Sequence, residues 1–252
     1  MTPAPSEAWG TPSVRSEHVD DLPCFIIHER GYRERSLILE ILSLSRGRVS
    51  AVAHLSRRAG FREREMLRPF APLSLSLSRR RGELWNVTRI EPSGQPYVYQ
   101  LPDLFCAQYL NELLYNLYHE QEEIPELFGV YLQSLAALGD GSRRLGALRR
   151  FETVLLRSLG FAVRFEDVRG RAPSPALRYA YDPGTGFFAC ADASVRTYPG
   201  EVLLDLRRGR LESDEQLSSL KEINGSLIRH LLGGRRLMSR KLYRDYLNER
   251  RD

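Results

Sequence analysis

Leu73-Ser74-Leu75-Ser76-Leu77-Ser78 alternates an apolar and a hydroxyl side chain without a break. Only an extended backbone sends every second residue to the same face, so this stretch predicts a half-buried strand. Arg79 to Gly82 then turns the chain, and Glu83 to Ile90 (ELWNVTRI) supplies a second strand rich in β-formers. Upstream, Cys24 to His28 is a β-branched and aromatic run, and Ser36 to Leu42 is an apolar run too short for most helices. Arg48 to Ala53 alternates after a turn at Arg46-Gly47. Five short strands, with a basic connection between the third and fourth, predict a small closed β-barrel of the oligonucleotide-binding (OB) type, with an SH3-like barrel as the alternative.

The composition changes after this block. Glu91 to Pro102 is rich in proline, glycine and tyrosine and reads as a linker. Beyond it, Phe105, Tyr109, Leu110, Leu113, Leu114 and Leu117 recur at three- and four-residue spacing, the mark of an amphipathic helix starting at Pro102-Asp103. A second helix is predicted from Pro125 to the stop at Gly139, and a third from Arg143 to Leu159 with Gly160 as its stop. Residues 161–200 lose the pattern and read as an irregular insertion in which Asp182 to Gly186 turns between short strands. Ser213 with Gln216 forms a capping box for a helix to Leu232, and Ser239 is expected to cap a last helix through Leu247. The predicted class is α+β multidomain: a disordered tail over 1–20, an OB-fold barrel over 21–96, and a mainly α-helical domain over 97–252 that carries the insertion.

Hydrophobic residues at 42% and charged residues at 27% are the balance of a globular protein. No apolar run reaches the roughly 18 residues of a membrane span, and the first 21 residues lack the basic start and apolar stretch of a secretory signal. A cytoplasmic protein with no membrane partner is expected. Cys24, Cys106 and Cys190 lie far apart and form neither a disulfide framework nor a metal knuckle. Lys221 and Lys241 are the only lysines, so the arginine bias points first to a GC-rich genome. The net charge of +5 permits an anionic partner without naming one.

The distribution of charge says more. Between His28 and Arg68 arginines outnumber acids about two to one, and a basic barrel face suits the backbone of DNA, because each neutralised phosphate releases condensed counterion. The expected DNA-binding residues are Arg30, Arg33, Arg35, Arg48, Arg57, Arg58, Phe61, Arg62 and Arg64. Tyr32 and Trp85 are further candidates for base stacking. The competing reading is a solvated face paired with Glu29, Glu34, Glu63 and Glu65, and for Trp85 it is a place in the core. No phosphate-cradling loop, nucleophile elbow or metal-ligand spacing of the five histidines occurs. Glu120, Glu122, Glu123 and Glu126, like Asp205, Glu212 and Asp214, read as solvated surface rather than a two-metal site. No catalytic residue, cofactor or metal is expected.

Six stretches in order resemble the bacterial RecO family of recombination mediators. They are Arg33 to Arg58 (RERSLILEILSLSRGRVSAVAHLSRR), Leu67 to Glu91 (LRPFAPLSLSLSRRRGELWNVTRIE), Leu104 to Leu117 (LFCAQYLNELLYNL), the strings PELFGVYLQSLAAL from Pro125 and LRRFETVLLRSLGF from Leu148, and LLGGRRLMSRKLYRDYL from Leu231 to Leu247. The resemblance implies an OB-fold followed by a helical domain. It implies binding of single- and double-stranded DNA, annealing of complementary strands, and engagement of the C-terminal tail of single-stranded DNA-binding protein (SSB). It further implies action with RecR, possibly alongside RecF, to load RecA. In LRRFE, Arg149 and Arg150 stand where the family has arginines near the SSB-tail pocket, with Leu148 and Phe151 as an apolar hollow beside them. Many relatives carry a four-cysteine zinc knuckle after the third helix. Here that stretch holds Cys190 alone, so no structural zinc is expected. An OB-fold RNA-binding module, a metal-dependent nuclease and a structural scaffold are the rival readings.

Overall fold

A computed structural model describes residues 16–57 and 60–249. Five strands, β1 (Glu17–Gly31), β2 (Ser36–Ser43), β3 (Gly47–His54), β4 (Leu73–Arg79) and β5 (Trp85–Pro92), close a barrel in the order β1-β2-β3-β5-β4. Closure depends on the length of β1. Its first half pairs with β4, from Glu17 opposite Arg79 to Cys24 opposite Leu73, and its second half pairs with β2, from Cys24 opposite Ser43 to Gly31 opposite Leu37. Register irregularities between Val19 and Leu22 and between Ile26 and His28 bend the strand from one partner to the other. The seam is a short parallel pairing of β3 with β5, Ala51 opposite Trp85 and Val52 opposite Asn86.

The period of two sorts side chains between two cores. Leu22, Cys24 and Ile26 of β1 enter the barrel with Leu37, Leu39 and Ile41 of β2 and Leu73, Leu75 and Leu77 of β4. Phe25, Ile27 and Leu42, on the opposite face, join Phe70 in the core of the helical region. The Phe25 ring lies 6.0 Å from Phe128 and 5.3 Å, edge-on, from Tyr131. The outer face of β1 and β2 thus shares one apolar core with the helices, separate from the core inside the barrel.

The helices are α2 (Asp103–Leu117), α3 (Pro125–Leu138), α4 (Arg144–Ser158), α5 (Gly200–Arg207), α6 (Asp214–Leu232) and α7 (Met238–Glu249), with α1 (Gly60–Met66) inside the barrel's third connection. A small sheet of β6 (Arg178–Asp182), β7 (Gly186–Ala189) and β8 (Tyr198–Pro199), in the order β7-β6-β8, occupies the insertion. Its Tyr179, Phe187 and Tyr198 pack on Val202, Leu203, Leu206, Leu220 and Ile223, a third apolar cluster. The capping box at Ser213 and Gln216 is present, and α6 ends at Gly233 in the left-handed conformation.

Several expectations need correction. Residues 17–20 belong to β1, so the tail expected over 1–20 is a barrel strand at its end, and 1–15 lie outside the described residues. The basic connection holds a helix, α1. The segment after β5 is a packed strap rather than a spacer. Tyr97 donates its N–H to the Phe70 carbonyl at 3.0 Å, and the Tyr99 hydroxyl donates to the Leu135 carbonyl at 2.7 Å. The insertion carries its own sheet and runs directly into the unexpected α5. Ser239 is not the cap of α7. Glu112 of α2 caps that helix instead, its carboxylate accepting the N–H groups of Met238 at 2.6 Å and Ser239 at 3.0 Å and the Ser239 hydroxyl at 2.5 Å.

Candidate nucleic-acid interface

The basic face is assembled by two connections at one end of the barrel. The β1–β2 turn is closed by the Tyr32 N–H donating to the Ser36 carbonyl at 2.7 Å, with Arg33 at a φ of 59°. Leu55, just past β3, donates its N–H to the Arg35 carbonyl at 2.9 Å, and Ser36 Oγ lies 2.9 Å from His54 Nδ1. These bonds hold the β3–α1 connection against the β1–β2 turn. The Ser56 N–H then donates to the Glu63 carboxylate at 2.7 Å, which fixes the approach to α1, while buried Leu67 plugs α1 onto the barrel core.

The helix buries none of its own residues fully, and it turns Phe61, Arg62 and Arg64 to solvent. Phe61 is 82% exposed there, with Arg62 and Arg64 exposed beside it and exposed Arg57 just upstream. A phenylalanine left in water gains nothing from its place in the fold, whereas a ring among guanidinium groups is a ready platform for a base. Arg30, Arg33, Arg35, Arg57, Arg62 and Arg64 have no carboxylate partner among the described residues, and Arg33 lies over the Tyr32 ring at 5.1 Å. The competing idea of a face neutralised by Glu29, Glu34, Glu63 and Glu65 finds one ion pair here, Arg68 with Glu65. Arg58 lies outside the described residues.

Arg48 leaves this face. Its guanidinium donates to Glu40 at 3.0 Å, to the carbonyls of Tyr115 at 2.6 Å and Tyr118 at 2.9 Å, and reaches His119 Nδ1 at 2.9 Å, with its centre 5.0 Å above the Tyr115 ring. It caps the C-terminus of α2 and rivets barrel to helices. Trp85, 1% exposed, is core, covered by Arg79 at 4.4 Å and Arg46 at 5.3 Å. Both arginines also bond Glu17, at 2.5 and 2.8 Å, and the Arg79 hydrogen bond foremost holds the Glu17 carboxyl below the usual range.

Arg80 and Arg81, within the turn from Arg79 to Gly82, are not among the DNA-binding residues expected from the sequence. They stand exposed and unpaired among the described residues in the β4–β5 loop, one of the two loops that border the binding face of an OB barrel. The run Arg79-Arg80-Arg81 at a hairpin was the signal for them.

Arg149 is corrected as well. It is 6% exposed and paired at 3.0 Å with Glu152, which is fully buried. Glu152 also accepts from the Tyr109 hydroxyl at 2.7 Å, and that hydroxyl accepts from Arg240 at 2.7 Å. Burial pushes the Glu152 carboxyl above its usual range, against the pull of Arg149 and the Tyr109 hydrogen bond. Leu148 and Phe151 are interior too. Arg150 alone of this set faces solvent, one helical turn from half-buried Val154.

Among the described residues no group of three or more His, Cys, Asp or Glu is placed to hold a metal ion, and no helix is long and apolar enough to cross a membrane. Glu126 pairs with Arg157, and Asp205 with Arg208 and Arg210.

Two family models match the chain, Recombination protein O N terminal over residues 21–96 and Recombination protein O C terminal over residues 99–241. The chain belongs to the RecO family. It is similar to proteins named DNA repair protein RecO from Methylococcus capsulatus, at 37% identity over 87% of this chain and 91% of that one, and from Aromatoleum aromaticum, at 34% over 92% and 98%. A Vibrio cholerae protein of the same name is 34% identical over 88% of this chain and 92% of its own length. The RecO models together span the barrel and the helices up to the start of α7, so the basic end of the barrel and the Arg48 rivet lie within the matched regions.

Proposed function

We propose that the chain is a DNA repair and recombination mediator without catalytic activity of its own, and that it binds single- and double-stranded DNA at the basic end of the barrel. The observation that carries this reading is Phe61, 82% exposed and flanked by unpaired Arg57, Arg62 and Arg64. Arginines supply sequence-independent attraction for phosphates and the ring supplies stacking, the two components of single-strand binding. Arg30, Arg33 and Arg35 extend the track from the β1–β2 turn, and Arg80 and Arg81 add cations at the β4–β5 loop. On this reading the protein anneals complementary strands and engages the SSB tail through Arg150, beside Val154, rather than through buried Arg149. With RecR, and RecF as a further partner, it promotes loading of RecA.

Replacing Arg57, Arg62 and Arg64 together by glutamate tests the assignment. Loss of up to three phosphate contacts makes the log–log salt dependence of single-strand binding shallower by about 2 and weakens binding by orders of magnitude at low salt, with the melting temperature unchanged. Wild-type affinity in that variant refutes the barrel face. RNA and DNA oligomers of one sequence, set in competition, separate this reading from an RNA-binding module, and Arg150→Glu is expected to weaken binding of an SSB-tail peptide.

A further inference from the structure

Before α6 the helical region disposes of most of its arginines in ion pairs, among them Arg143 with Asp140, Arg144 with Asp103, Arg157 with Glu126, Arg171 with Asp167, Arg196 with Glu222 and Arg207 with Glu166. One corner breaks the pattern. From Arg229 to Arg244, spanning the end of α6, the Gly233-Gly234 loop and the first half of α7, the chain carries six cations (Arg229, Arg235, Arg236, Arg240, Lys241 and Arg244) and no acid. None of the six is ion-paired among the described residues, and all but half-buried Arg240 are exposed.

The arrangement concentrates them. Two of the guanidinium groups converge beside Gly225 of α6, Arg229 lying 3.5 Å and Arg240 4.0 Å from where a Cβ would stand. Arg240 is held there by the Tyr109 hydroxyl at 2.7 Å and by the face of that ring at 4.9 Å, with the buried Glu152 carboxyl on the far side of that hydroxyl and no direct ion pair among the described residues. Lys241 and Arg244 share a face of α7 at a spacing of three residues. Arg235 and Arg236 sit in the loop between the helices. Glu112, the cap of α7, is a single carboxylate among these six cations, and like charges gathered in such excess destabilise the free protein and are relieved by a bound polyanion.

We infer that this α6–α7 corner is a second phosphate-binding face, which holds another strand of nucleic acid while the barrel holds the first. The inference deepens the proposed function and rests on the barrel being a DNA site. A phosphodiester chain fits better than an acidic peptide. A peptide needs an apolar hollow among the cations, whereas the exposed apolar residues of α7, Met238 and Leu242, lie on the shoulder that also carries Asp245 and Glu249. Guanidinium groups without such a hollow suit a repeating phosphate.

The experiment is second-strand capture. Full-length protein saturates oligothymidylate tethered to beads, and a labelled oligothymidylate, unable to pair with the first, is then offered. Wild type is expected to retain it. Arg235→Glu/Arg236→Glu/Arg244→Glu, with circular dichroism and melting as wild type, is expected to bind the tethered strand within about twofold and to capture the second at least about tenfold less. The corresponding lysine triple variant, which preserves charge, restores capture. Failure of wild type to capture, or equal capture by the glutamate variant, as happens when two proteins bridge the strands through their barrels, overturns the inference. So does polyglutamate binding that depends on these arginines while capture does not. The barrel reading fails separately, if Arg57→Glu/Arg62→Glu/Arg64→Glu still binds the tethered strand like wild type.

Discussion

Gly47 and Gly82 form a natural pair for measuring how tightly the barrel is docked on the helices. Both have positive φ, 56° and 79°, in turns between strands. A Cβ added at Gly82 meets nothing within 4 Å, whereas one at Gly47 would stand 2.5 Å from the Glu120 carbonyl oxygen and 2.6 Å from that of Glu122, both backbone atoms of the α2–α3 loop. Gly82→Ala therefore incurs only the left-handed strain, about 1–2 kcal/mol, less the roughly 0.5–1 kcal/mol gained by restricting the unfolded chain. The net loss is about 1 kcal/mol. Gly47→Ala incurs the same and also drives the loop away, loosening the Arg48 N–H bond to Glu120 at 2.8 Å and the Ile124 N–H bond to Leu44 at 3.2 Å. At about 1 kcal/mol each, those bonds bring the total to about 3 kcal/mol. For a chain of this size the melting temperature should fall by about 2–4 °C for Gly82→Ala and about 6–12 °C for Gly47→Ala. Differential scanning calorimetry reads both, and native-state hydrogen exchange should show faster exchange at Arg48 and Ile124 in the second variant only. Equal losses in the two variants would refute the docking role of Gly47.

Phe61→Ala should weaken single-strand binding by about 1–3 kcal/mol in a fluorescence titration while leaving the melting temperature within error, since the ring is 82% exposed. Glu112→Ala removes a cap supplied by a different helix, so α7 should fray at a cost of about 1 kcal/mol, visible as lost protection of the Met238 and Ser239 amides. Acid should loosen the insertion. Hydrogen bonds hold three carboxyls below their ordinary value of 3.8: chiefly the Arg171 N–H at Asp167, the Thr185 N–H at Asp182 and the Ser194 hydroxyl at Asp192. Depressed folded values mean stability that is complete above about pH 3.8 and lost as pH falls through the folded values. Near-neutral stability set by these three aspartates should therefore be flat with pH, and exchange over residues 167–194 should rise only in acid.

Elements with a buried face were legible in the sequence, and those without one were not. Leu73 to Leu77 announces β4 because three leucines must enter the barrel, and the leucines of α2, α3 and α6 announce those helices in the same way. The first residues of β1, Glu17 to Asp20, are polar and are held by backbone pairing to β4, which no local pattern reports. Likewise α1 buries nothing, so GFREREM has no periodicity to detect. The arginines divide along the same line. Arg48 and Arg57 look alike in sequence, but the partners that absorb Arg48 come from Tyr115 to His119, brought near by the tertiary fold. Arg149 was closer to being readable, because it stands three residues before Glu152 on a helix, a spacing that puts the pair on one side.

The apolar core shared by Phe25, Ile27, Leu42 and Phe70 with the helices also bears on how the chain is made. Synthesis finishes the barrel strands at Pro92 and completes α4 only at Ser158, roughly 65 residues later, which takes about 3–13 s at usual elongation rates. Until α2, α3 and α4 have all been made and packed, the nascent barrel presents the greasy side of β1 and β2, with Phe70, to solvent without its full cover. The order of translation thus makes the first domain dependent on the second, and chaperones or pauses that shield those few seconds act on the same four side chains that later join the two halves.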